Sequence, residues 1–110
     1  GYDAATHWAF MDLLPLFGAR PVKKRVVVDR NRVTGGGVTA GIDFGFRLAA
    51  ALANETVAKT IQLALEYDPE PPFRSGHPDV AEPALVAAVR ERLEQTFRAR
   101  AEILREGARS

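Results

Sequence analysis

The run Arg25-Val26-Val27-Val28-Asp29-Arg30-Asn31-Arg32-Val33-Thr34-Gly35-Gly36-Gly37-Val38-Thr39-Ala40-Gly41-Ile42-Asp43-Phe44 decides the fold class. Arg25–Val28 favours a strand, because branched side chains pack well on a pleated surface. Asp29-Arg30-Asn31 supplies turn chemistry, with Asn31 suited to a left-handed conformation. Arg32-Val33-Thr34 then reads as the partner strand of a hairpin. Three glycines break the pattern. Thr39 stands where a hydroxyl caps a helix, and Ile42, Phe46, Ala49 and Leu52 share one face of a helix over 40–53. The run thus joins a hairpin to a helix through a glycine turn.

Upstream, residues 3–7 predict a short strand ending in Thr6-His7. A helix follows, with Phe10, Leu13, Leu14 and Phe17 on one face. Gly18 stands at its stop, and Pro15 predicts a kink or a tight last turn. Downstream, Asn54 caps a second helix running to about Tyr67. Val57, Ile61 and Leu65 align along it, and Leu63 and Ala64 widen the stripe. Residues 67–82 form a loop stiffened by Pro69, Pro71, Pro72 and Pro78 and broken by Gly76. A terminal amphipathic helix over 83–107 starts with Pro83, where a missing N–H costs nothing. Its stripe is Val86, Val89, Leu93, Phe97, Ala101 and Leu104. Two or three short strands are few for this much apolar helix surface, so the sheet that covers it is expected elsewhere.

The chain has 110 residues, enough for one small domain. At 46% hydrophobic and 26% charged residues it has a globular profile rather than a disordered one. Its net charge of +1 gives no general attraction to nucleic acid or to a membrane surface. Basic residues do gather between Arg20 and Arg32 and again after Arg90. The second group is interleaved with Glu91, Glu94, Glu102 and Glu106, so it reads as a solvated helix face. The absence of cysteine excludes disulfides, thiolate metal sites and a cysteine nucleophile within this chain. No apolar run reaches the roughly 20 residues of a membrane span. Gly1-Tyr2-Asp3 reads as neither a signal nor a transit peptide. The expectation is a cytoplasmic protein.

Four motifs carry possible chemistry. Gly35-x-Gly37-x-x-Ala40 fits a dinucleotide fingerprint, but no strand and no ribose-binding carboxylate follow the helix, so a glycine turn for close backbone packing is preferred. His7 sits at a strand-to-helix junction, and lone histidines are more often structural than catalytic. His77 lies in the proline-rich loop and, with one distant companion, suggests no metal site. Pro69-Glu70-Pro71-Pro72 fits a polyproline ligand, but a stiff connector is the plainer reading. Asp43 fits either a base or a carboxylate favoured by its own helix dipole, the second being preferred.

Together these residues resemble the ThiJ/PfpI family, a class I glutamine amidotransferase-like group. Ala5-Thr6-His7-Trp8 is similar to the T-H-W segment after that family's nucleophile helix. Val33–Phe44 is similar to the glycine loop bordering its active site. Both segments also occur in ligand-sensing domains of AraC-type regulators. Ile61-Gln62-Leu63-Ala64-Leu65-Glu66-Tyr67-Asp68-Pro69-Glu70-Pro71-Pro72-Phe73, followed by Gly76 and Pro78, resembles the isocyanide (isonitrile) hydratases in particular.

The resemblance implies the C-terminal half of a flavodoxin-like α/β sandwich, with a β-hairpin and three to four helices. It implies a lyase (hydro-lyase) that hydrates isocyanides by cysteine nucleophilic catalysis, without metal or organic cofactor. No catalytic residue is expected in this chain. The nucleophile and an acidic residue belong to an N-terminal half, its expected partner, and complete domains are expected to form homodimers. Thr6, His7, Val38, Thr39, Ala40, Gly41 and Ile42 are expected beside the site. The alternative, a ligand-sensing domain of an AraC-type regulator, expects a helix-turn-helix module that these residues do not contain.

Overall fold

The computed structural model describes residues 1–109. Tyr2–Ala4 (β1) pairs in parallel with Ala19–Pro21 (β2), placing Tyr2 beside Ala19 and Ala4 beside Pro21. The connection between them is a ten-residue 3₁₀ helix, Trp8–Phe17, ended by Gly18 in the left-handed region at φ 78°. Sequence periodicity gives the right face for this segment, since Leu13 is buried. It does not give the tighter winding. Pro15 lacks the amide that an α-helix would send to the Met11 carbonyl, which favours the tighter turn. β2 was not expected: Ala19-Arg20-Pro21 carries no β-branched residue. The first strand also ends at Ala4, before Thr6-His7.

Val26–Asp29 (β3) and Arg32–Gly35 (β4) form the antiparallel hairpin, with Asp29 opposite Arg32. The residue with positive φ is Arg30, at 56°, and not Asn31. Arg30 is held there by its own side chain. Its guanidinium donates to the Gly1 carbonyl at 2.7 Å and to the Asp29 carboxylate at 3.3 Å. The hairpin docks on β1 through side chains. Asp3 N donates to Asp29 Oδ2 at 2.6 Å, and Ala5 N donates to Thr34 Oγ1 at 3.0 Å. The Asp3 amide is the first cause holding the Asp29 carboxyl below its ordinary range.

Ala40–Leu52 (α1) packs on the hairpin and against Glu55–Ala64 (α2). The side chain of Asn54 accepts from Val57 N at 2.8 Å, the cap that the sequence predicts. Thr39 does not cap α1. Its backbone is already helical and its hydroxyl makes no capping bond. α2 stops at Ala64 rather than Tyr67, in a Schellman motif. Glu66 occupies the left-handed position at φ 51°, Glu66 N donates to Leu63 O, and Tyr67 N donates to Gln62 O, both at 3.0 Å. Pro83–Arg109 (α3) crosses the 3₁₀ helix. There Arg90 sits 5.2 Å from the Trp8 ring centre and Arg100 sits 4.6 Å from that of Phe10.

The core is thin. Its buried hydrophobic residues are Ala4, Ala5, Leu13, Ala19, Val27, Ala40, Ala58 and Ala101, six of the eight being alanine. The molecule measures 44 × 37 × 17 Å, with a radius of gyration of 16.3 Å, where a compact chain of this length would have about 13 Å. Its accessible surface is 8421 Å², against about 6,000 Å² for a folded monomer of this mass. Part of the excess is apolar: Leu52, Leu63 and Leu65 are 80%, 83% and 68% exposed. The stripe Ile42, Phe46, Ala49 and Leu52 is therefore only half covered, with Phe46 and Ala49 partly buried and both ends open.

Candidate functional site

The candidate site forms where the chain leaves β1. His7 has an extended ψ of 139° and serves as N-cap of the 3₁₀ helix. Its Nδ1 accepts Ala9 N at 3.1 Å, and its carbonyl accepts Phe10 N at 2.9 Å. Because Nδ1 is an acceptor, the neutral ring carries its proton on Nε2. Burial holds the His7 imidazole below its ordinary pKa, which favours that neutral form near pH 7. The ring lies 5.3 Å from the Trp8 ring and 5.7 Å from the Phe10 ring, centre to centre.

The glycine loop approaches the same ring. A Cβ placed on Gly37 would stand 3.4 Å from His7 Cδ2, at the edge of ordinary contact. Gly36 N donates to the Arg25 carbonyl at 2.8 Å, and a Cβ on Gly35 or Gly36 would meet the Arg25 backbone within 3.7 Å. The loop then winds into α1 by i-to-i+3 bonds: Ala40 N to Gly37 O at 3.1 Å, then Gly41 N to Val38 O and Ile42 N to Thr39 O at 3.2 Å. A Cβ at Gly35, Gly36 or Gly37 would thus meet only ordinary van der Waals contacts, and neither close approach nor a left-handed backbone demands glycine there, since Gly18 is the glycine with positive φ among the described residues. Gly41 has open space within this chain where a Cβ would go.

The seven residues expected beside the site do not all converge. His7 meets the loop through Gly37, a residue outside that set. Ala40 is buried at 1% exposure behind the loop, next to Gly36. Val38, at 95%, faces open solvent, and Thr39, Gly41 and Ile42 are exposed. Thr6 goes elsewhere. It lines an apolar groove of about 290 Å³ between the 3₁₀ helix and the end of α3, with Phe10, Leu13, Phe17 and Leu104. Adjacent residues of an extended segment face opposite ways, which separates Thr6 from His7.

A second cluster was not legible in the sequence. Asp43, in the first turn of α1, receives Arg25 Nε on Oδ2 at 2.6 Å and the Tyr67 hydroxyl on Oδ1 at 2.5 Å. The Tyr67 hydrogen bond first, then that of Arg25, holds the Asp43 carboxyl below its ordinary range. The same bond holds the Tyr67 phenol above its own. A carboxylate so engaged is a poor general base, and the partners differ from the helix dipole expected for it. The Tyr67 ring also lies 5.3 Å from that of Phe46. Sequence separations of 18 and 24 residues leave no local signal for these contacts.

Other chemistry finds no support. α1 is followed by α2 and not by a strand, as a dinucleotide fold would require. Nδ1 of His77 accepts the Asp79 amide at 3.1 Å in the proline-rich loop. Among the described residues no group of three or more His, Asp or Glu is placed to hold a metal ion. No described helix is long and apolar enough to cross a membrane.

No family model matches the chain. It is 52% identical over 108 residues to the isonitrile hydratase of Pseudomonas putida, an alignment covering 98% of this chain and 47% of that protein. A crystal structure of a ThiJ/PfpI family protein from Pseudomonas syringae superposes on it with a TM-score of 0.88 at 46% identity. That match covers 94% of this chain and 43% of the other. Over nearly its whole length the chain is similar to part of a ThiJ/PfpI family protein. It spans about half the length of the relatives it matches and corresponds to the C-terminal half of the isonitrile hydratase. The hairpin and helices are thus part of a flavodoxin-like ThiJ/PfpI domain.

Proposed function

We propose that this chain is the C-terminal half of an isocyanide hydratase-like enzyme and that an N-terminal half carries the cysteine nucleophile and an acidic residue. The observation that carries the reading is the 52% identity to an isonitrile hydratase across 98% of the chain. The surface excess supports the missing half, since about 2,400 Å² beyond a folded monomer's expectation exceeds what a standard protein interface buries. The family resemblance extends the reading to a cytoplasmic homodimer of complete domains.

The terminal carbon of R–N≡C is electrophilic. A thiolate forms a carbon–sulfur bond there, and a carboxylic acid supplies the proton, giving a thioimidate. Water then adds to the thioimidate carbon and the thiol leaves, so that R–N≡C and water become R–NH–CHO. In this scheme His7 stands beside the thiolate and presents its Nε2 proton as a hydrogen-bond donor. The glycine loop forms the adjoining wall, with Gly37 rather than Val38 closest to His7. Thr6 faces the groove beneath α3 and is no part of this wall.

The test compares the 110-residue chain alone with the same chain co-purified with an N-terminal half containing the cysteine. Isocyanide hydration is expected from the pair and at background from the chain alone. Turnover by the isolated chain, or none by the pair, rejects the reading. In the active pair, His7→Ala should shift the pH profile of cysteine alkylation. An unchanged profile would leave His7 as a helix cap.

A further inference from the structure

Arg25 holds the glycine loop at both ends. Its carbonyl takes the amide of Gly36, where the loop begins, at 2.8 Å. Its guanidinium takes the carboxylate of Asp43, where the loop has become α1, at 2.6 Å. The intervening segment contains the whole candidate wall, Val38–Ile42, and also Gly37 against the His7 ring. The other Asp43 oxygen is taken by Tyr67, which reaches α1 because Glu66 adopts a left-handed backbone and turns the chain back after α2. Gln62 Nε2 supports the turn by donating to the Tyr67 carbonyl at 3.2 Å. A hydroxyl, a carboxylate and a guanidinium from three separated segments thus converge on the loop that brings Gly37 beside His7.

We propose that Asp43, Arg25 and Tyr67 are positioning residues that set the glycine loop against His7 and thereby fix how closely the pocket fits its substrate. The inference rests on the functional reading above for the word substrate, and on this chain's geometry for the rest. None of the three residues touches the reacting atoms. Their effect passes through Gly37 to the His7 ring and through Ala40, buried under the loop, to the pocket wall.

The experiment uses the chain with its N-terminal half present and the variants Tyr67→Phe and Asp43→Asn. Tyr67→Phe keeps the ring against Phe46 and removes only the hydroxyl. Asp43→Asn keeps an acceptor for Tyr67 and removes the charge facing Arg25. Two readouts are taken. The ring-proton NMR shifts of His7 should move in both variants while those of His77 stay in place. The KM for a bulky isocyanide should rise about fivefold with kcat within about twofold, and Asp43→Glu should recover part of the loss. Folded variants with unmoved His7 resonances and unchanged KM would overturn the proposal, as would a uniform fall in kcat with KM constant. If the wild-type protein does not hydrate isocyanides, the functional reading fails. The His7 resonances then still decide the positioning role.

Discussion

Residues 2–35 bury more of their apolar groups than residues 55–107 do, although Phe17 and Val28 stay exposed. The first region buries Ala4, Ala5, Leu13, Ala19 and Val27 in a small layered core between β1, β2, the hairpin and the 3₁₀ helix. The second buries one alanine per helix, Ala58 in α2 and Ala101 in α3, and leaves Ile61, Leu63, Leu65, Leu85 and Ile103 exposed. Both have ordinary hydrophobic periodicity. What differs is whether a partner surface exists within the chain. Amphipathic patterning therefore reports a face that must be covered without saying by what.

The strongest way to break this contrast is to examine the chain by itself. An exposed apolar surface of this extent is more than isolated monomers ordinarily carry. Sedimentation should show assembled species or an expanded chain, with a broad melt. A sharp-melting 12 kDa monomer would mean that α2 and α3 close a core of their own.

Point substitutions sharpen it. In the complete protein, Leu13→Ala removes a buried side chain of the first region and should cost about 2–5 kcal/mol. Ile61→Ala, measured by denaturant unfolding, should cost under about 1 kcal/mol without the N-terminal half and clearly more with it. Equal losses in the two settings would show that the α2 face stays uncovered.

The smallest contrast separates two glycines. Gly18→Ala places a side chain at φ 78° and should destabilise by about 1 kcal/mol. Gly41→Ala, within α1 and facing open space, should be neutral or gain several tenths of a kcal/mol from helix propensity. A loss at Gly41 seen only in the complete protein would place the missing half directly against it.

What the sequence made legible was local. The Val26–Thr34 hairpin, the stop at Gly18 and the Asn54 cap rest on propensities within a few residues. β2 was invisible because three residues without branched side chains owe their extended form to pairing with β1. The end of α2 was misplaced because its left-handed residue is Glu66, and no glycine marks it. For the candidate site, the family resemblance names residues but not the directions in which they face. Thr6 and His7 part because the backbone there is extended. Gly37 meets His7 across thirty positions only because the hairpin docks on β1. The Arg25–Asp43–Tyr67 cluster depends on three elements folding together, which no spacing rule encodes.

The docking of the hairpin on β1 has an effect on solubility. Ala4 O accepts the Val22 amide at 2.8 Å, so Asp3 and Ala5, one residue to either side, point their amides away from β2. Left free, these amides would form a template on which a strand from another molecule could grow. The Asp29 carboxylate and the Thr34 hydroxyl occupy both of them. Pro21 on β2 has no amide to offer in the first place. The β1 edge of the parallel ribbon is thereby closed to strand addition, whereas the exposed helix faces remain open to apolar contact.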